Sequence, residues 1–125
     1  MRKFIPTYWH AVMDYLLVFI LLCGPFISEF HMVGTAATVS FVSGAAVGII
    51  SLITANEGGL IRMLPMHIHL WIDIGLGAFL IASPFVLGFS DALYSFHMLV
   101  GFFLIGLGLF TATHTKRHRP PVKID

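Results

Sequence analysis

Charge is scarce in this chain. Only 10% of its residues are charged, against about 25% in an ordinary soluble domain. Meanwhile 58% are hydrophobic, and mean hydropathy is +0.92. A soluble globular domain is thereby excluded. Cysteine occurs once, at Cys23, so no internal disulfide forms and the residue reads as a small buried hydrophobe. There is no Gly-rich phosphate loop, no Cys-x-x-Cys and no polar cluster outside the apolar runs fit to hold a soluble substrate, which argues against an enzyme. A net charge of +1 offers no footprint for nucleic acid.

What is present is long apolar runs. Four stand out, at about residues 8–27, 35–55, 67–89 and 92–113. About 20 helical residues span a hydrocarbon core of about 30 Å. Only helices and closed barrels span lipid, and the alternation of barrel strands is missing. The fold expected is an all-α transmembrane four-helix bundle in one domain, residues 1–125, with the lipid bilayer as its first partner. Basic residues lie only at Arg2 and Lys3, at Arg62 between the second and third runs, and at Lys116, Arg117, Arg119 and Lys123. With four spans these segments share one side, so the positive-inside rule places both termini in the cytoplasm of a multi-pass inner (plasma) membrane protein. No small-x-small cleavage site follows the first run, which is therefore expected to stay attached. The tail, residues 115–125, with adjacent prolines and five charges, is expected to be solvated.

The chain is a duplication. An offset of 59 carries His10 to His69, Asp14 to Asp73, Pro25 to Pro84, Phe26 to Phe85 and Phe30 to Phe89. An offset of 57 carries Gly44 to Gly101 and Leu52–Asn56 onto Leu109–Thr113, which implies a shorter second outer loop. Repeat one covers about residues 7–56 and repeat two about 66–114. Two repeats of the same topology relate by a pseudo-twofold along the membrane normal. In the second run Ser40, Gly44 and Gly48 recur every four residues, a stripe that lets helix backbones approach closely, within the monomer or between subunits. Gly75 and Gly77 read as packing notches in the third.

A helix with an Asp near its inner end, closing on Ser-Pro-aromatic and followed by a Gly-bearing second helix, resembles the SPW repeat of small bacterial integral membrane proteins. The motif stands best in Ala82-Ser83-Pro84-Phe85-Val86-Leu87-Gly88-Phe89, and the first copy reads Cys23-Gly24-Pro25-Phe26-Ile27-Ser28-Glu29-Phe30. Phe replaces Trp in both copies, and Gly24 replaces Ser in the first. The resemblance implies a two-helix repeat and a bacterial membrane protein. It brings no activity and no catalytic residues.

The residues that carry chemistry are His10, Asp14, His69 and Asp73. Each pair is spaced i, i+4 on one helix face. Each Asp stands about 10 Å from the inner boundary by the helical rise. An ionised Asp at the bilayer centre costs about 2.5–3.5 kcal/mol, so a partner is required. One reading is hydrogen-bonded packing, with each Asp accepting from Thr54, Thr111, water or its own His. Another gathers two His and two Asp into a tetrahedral set for zinc or a related ion. A bis-His haem between His10 and His69 is a third. Helix-end His97 is expected at the outer interface, where an amphipathic ring is comfortable, and His67, His114 and His118 at the inner surface. The function expected is a structural or accessory membrane protein that forms assemblies with its own copies or another membrane subunit. The alternatives are a metal- or haem-binding membrane protein, or an oligomer that conducts protons or ions.

Overall fold

A computed structural model describes residues 3–91 and 94–113. The tail 115–125, His114, His118 and the tail's basic residues lie outside them. Four helices follow in order: α1 (Thr7–Ile27), α2 (Gly34–Ile53), α3 (Met66–Val86) and α4 (Ser95–Phe110). The first three are long and apolar enough to cross a membrane. The fourth is a shorter apolar helix of 16 residues, about 24 Å at the helical rise. It does not fill the run 92–113. The second outer connection is longer than the first, residues 87–94 against 28–33, because α4 starts one turn late, at the position equivalent to Thr38.

The bundle is two hairpins. α2 lies along α1, α4 lies along α3, and α2 also touches α3. Leu17, Leu21, Val47, Leu80, Leu104 and Leu107 fill the interior, while Phe19, Phe26, Ile49, Phe79, Phe85 and Phe102 stand exposed around it. An apolar exterior over an apolar interior is the pattern of a bundle solvated by lipid.

The duplication is visible in the backbone. α1 and α3 have 21 residues each and start 59 apart. A parallel bridge joins Thr54 to Leu64, and its equivalent joins Thr111 to Ile5. The connector thus ties the end of α2 to the start of α3, and the N-terminal lead ties the end of α4 to the start of α1. At the outer end the equivalent residues Glu29 (φ 57°) and Gly88 (φ 76°) take the left-handed conformation. Each precedes a buried Phe whose N–H bonds the carbonyl of the helix proline, Phe30 to Pro25 and Phe89 to Pro84, both at 2.9 Å.

Those prolines explain two serines. Proline has no N–H, so Pro84 leaves the carbonyl of Leu80 without its helical donor, and Pro25 does the same to Leu21. In lipid such a carbonyl needs another partner, and Ser or Thr side chains supply it. Ser83 Oγ donates to Leu80 O at 2.9 Å. The first copy has Gly24 in place of that Ser, and there Ser40 Oγ of α2 reaches across to Leu21 O at 2.6 Å. Gly24 itself is required, because a Cβ would meet Phe96 Cζ at 2.4 Å.

The stripe on α2 packs inside its own hairpin. A Cβ on Gly44 would lie 3.0 Å from Leu21 Cβ, and one on Gly48 would lie 3.5 Å from Val18. Gly77 and Gly101 face each other between α3 and α4, each with the other's carbonyl 2.6 Å from where a Cβ would stand. Gly75 is no notch, since nothing lies within 4 Å of its Cβ position.

Candidate metal centre

His10 and Asp14 come from α1, His69 and Asp73 from α3, and all four side chains are buried, with at most 3% of any one exposed. The i, i+4 spacing turns each pair to one face, and packing rotates both faces onto the axis between the hairpins. There the four meet. His10 Nε2 lies 3.2 Å from His69 Nε2. Asp14 Oδ2 is 3.2 Å from His10 Nε2 and 3.0 Å from His69 Nε2. Asp73 Oδ2 is 3.0 Å from His10 Nε2 and 3.2 Å from His69 Nε2.

The outer nitrogens of both rings are held by the residue that caps the C-terminal end of a helix in the other hairpin. His69 Nδ1 lies 2.5 Å from Thr54 Oγ1, and His10 Nδ1 lies 2.8 Å from Thr111 Oγ1. Thr54 spends its one hydroxyl hydrogen on Ile50 O, so its oxygen accepts the Nδ1–H of His69. In a neutral ring that leaves a lone pair on Nε2, aimed at the centre. The Thr hydroxyls therefore orient the histidines, and of the partners the packing reading named, each Asp has its own His nearby, at 3.2 Å. Asp14 Oδ2 has a donor in Ser51 Oγ at 3.1 Å. Asp73 Oδ2 and Asp14 Oδ1 are buried without a hydrogen bond.

The result is a compact polar centre. Two Nε2 atoms and two carboxylate oxygens lie within 3.0–3.2 Å along the five contacts above, and with each ring's proton on Nδ1 they would form a set of acceptors that a cation satisfies. Ligand atoms around a tetrahedral zinc with bonds of about 2.0–2.2 Å stand about 3.3–3.6 Å apart, close to the 3.0–3.2 Å of these contacts. Two carboxylates also balance the charge of one divalent ion. A haem does not fit: carboxylates crowd the gap between His10 and His69, whose Nε2 atoms are only 3.2 Å apart.

The SPW repeat domain family matches residues 8–111, from the residue before Trp9 to the Thr that holds His10. The chain belongs to the SPW repeat family. No curated protein and no solved structure matches it. Within the SPW repeat the motif residues divide by burial. Pro25, Ser83 and Pro84 are buried, while the aromatic that follows each proline is exposed, Phe26 at 60% and Phe85 at 59%.

Two further polar residues lie elsewhere than the sequence indicated. His97 does not reach the interface. It is fully buried between Phe30 and Phe89, at ring distances of 5.6 and 4.8 Å, and its Nε2–H donates to Ala36 O at 3.0 Å. Ser51, the donor to Asp14, carried no signal, because its equivalent in repeat two is Gly108 and it reads as one more small residue of the stripe.

Proposed function

We propose that this membrane protein is a structural one, whose two hairpins are joined at their centre by a single divalent transition-metal ion, zinc being the best match. The observation that carries this reading is the convergence of four acceptor atoms, His10 Nε2, His69 Nε2, Asp14 Oδ2 and Asp73 Oδ2, on one buried point. His10 and His69 would each ligate through Nε2 while Thr111 and Thr54 hold Nδ1, the arrangement that fixes ring orientation at metal sites. Four protein ligands close the shell. Catalytic sites keep a position open, and closed sites are structural, so the reading carries no hydrolytic activity. The bond would tie α1 to α3 across the bundle axis, where no backbone hydrogen bond does so. The confinement of Lys and Arg to the lead, the connector and the tail supports a bacterial inner membrane location with both termini in the cytoplasm.

Elemental analysis of the full chain, purified in detergent without added metal, tests this. About one zinc-class ion per chain is expected, as in closed tetrahedral sites, and none in His10→Ala or His69→Ala. Thr54→Val and Thr111→Val should keep the stoichiometry but weaken affinity about 10- to 100-fold. A folded wild-type chain that retains and takes up no metal would defeat the reading, and two protons would then balance the carboxylates.

A further inference from the structure

Among the described residues the two hairpins differ at the end that carries the chain termini, where the connector covers one and leaves the other uncovered. In the first hairpin the connector folds back over the helix ends. Tyr15 Oη donates to Gly58 O at 2.6 Å, and the N–H groups of Leu60 and Ile61 both bond Leu52 O, at 2.8 and 3.0 Å. Gly58 sits so close to α1 that a Cβ would come within 2.8 Å of Ala11 Cβ. The equivalents of Ala11, Tyr15 and Leu52 in the second hairpin are Leu70, Ile74 and Leu109. These three line an open cavity of about 280 Å³ together with Lys3, His67 and Trp71. A covering strand cannot simply be repeated there. A Cβ on Gly59 would lie 1.9 Å from Thr54 O, so that path admits glycine, and the residues at the offset of 57 from Gly58 and Gly59 are Thr115 and Lys116.

We propose that this seat binds an anionic phospholipid of the surrounding bilayer. Its lining is graded along the membrane normal. Lys3 and His67 stand at the mouth, and Trp71 is 71% exposed beside them, an amphipathic ring of the kind that settles at headgroup level. Ile74 lies seven residues further along α3, about 10 Å deeper at the helical rise. The Lys3 ammonium and the His67 ring nitrogens supply donors for a phosphodiester, and Leu70, Ile74 and Leu109 supply the wall for the start of an acyl chain. Charge complementarity selects an anionic headgroup over a zwitterionic one. The site is separate from the four central residues, and the inference stands whether or not they hold a metal.

The chain contains two Trp, so Trp9→Phe leaves Trp71 as the only reporter. The full chain in phosphatidylcholine vesicles is titrated with brominated phosphatidylglycerol or brominated phosphatidylcholine, and quenching of Trp71 is followed. Half-maximal quenching is expected at a several-fold lower mole fraction of the anionic lipid, and Lys3→Gln should reduce that preference to near unity. Equal quenching by both lipids, or a preference untouched by Lys3→Gln, would overturn the proposal. A chain ending at Thr113 separates the remaining occupant. A preference retained there supports the lipid site. A preference lost assigns it to the charges of the tail, and a several-fold rise in affinity assigns the seat to the tail itself; either result overturns the proposal.

Discussion

The two hairpins of this protein share a backbone plan and differ almost everywhere in how they carry it out. Val18 of α1 packs on Gly48 of α2, with its Cγ2 3.5 Å from where a Cβ would stand. At the equivalent positions Gly77 of α3 receives Ile105 of α4, with 2.7 Å from the would-be Cβ to Ile105 Cγ1. Knob and hole have changed helices. The carbonyl freed by proline is served by Ser83 on its own helix in one hairpin and by Ser40 on the neighbouring helix in the other. The left-handed turn falls on Gly88 in one copy and Glu29 in the other. The histidine, the aspartate and the threonine at the axis are unchanged in both. Packing requires only that volumes match and carbonyls find a donor, which many residue pairs satisfy. Four polar side chains meeting at one point must each be placed, and no exchange between helices preserves that.

The largest effect is expected from breaking the identical part. Asp14→Leu or Asp73→Leu alone leaves a buried cluster with unbalanced charge and should lower stability by about 3–5 kcal/mol. The double variant should lose less than either single one, because two histidines with Nε2 atoms 3.2 Å apart can share one N–H···N hydrogen bond. Thermal unfolding in detergent decides it, and a double variant that loses the sum of both singles would refute the shared site. Gly77→Ala is next: its Cβ has nowhere to go but against Gly101 O, so overpacking of about 1–3 kcal/mol is expected. Gly48→Ala meets Val18 at ordinary contact distance and should change stability little. Equal effects at the two positions would erase the exchange of knob and hole.

An effect of similar size comes from the serines. Ser40→Ala leaves the buried carbonyl of Leu21 without a donor and should cost about 1–3 kcal/mol. Gly24→Ser should not rescue it while Phe96 occupies the space, whereas Gly24→Ser with Phe96→Val should, since Val39 stands at the position equivalent to Phe96. Unfolding midpoints of the three variants report this directly. The smallest effect has the opposite sign. Glu29→Gly removes a side chain from a left-handed turn and should stabilise by about 1 kcal/mol, whereas Gly88→Ala should destabilise. A neutral Glu29→Gly would mean that Glu29 has a compensating contact.

Much of the site was legible before the structure. His10, Asp14, His69 and Asp73 announce themselves because polar residues in apolar helices are costly and the same pair occurs twice. Their meeting was expected from the pseudo-twofold but stood beside packing within each hairpin, since which way a helix face turns depends on its rotation against its neighbours. The place of the threonines was not legible for the same reason. Thr54 and Thr111 were visible at equivalent helix ends, but only the side-chain directions reveal that their oxygens reach His Nδ1 and not the carboxylates. Ser40 read as one small residue of a packing stripe, because the carbonyl it serves lies on another helix. His97 read as an interfacial ring because it stands near the end of an apolar run. α4 begins only at Ser95, and the two turn phenylalanines Phe30 and Phe89 fold over that end and bury it.

The sequence alone determined that this chain enters a membrane, that it is helical and that it is built twice. These follow from composition, run length and offset, which are properties of residues in order. Only the tertiary structure decided that the two histidines and two aspartates form one centre, that the carbonyl freed by each proline is answered by a different serine, and that, among the described residues, one hairpin end is covered and the other is not. Each of these rests on a distance between atoms far apart in the chain, set by helix rotation and close approach, and no local pattern of residues encodes those quantities.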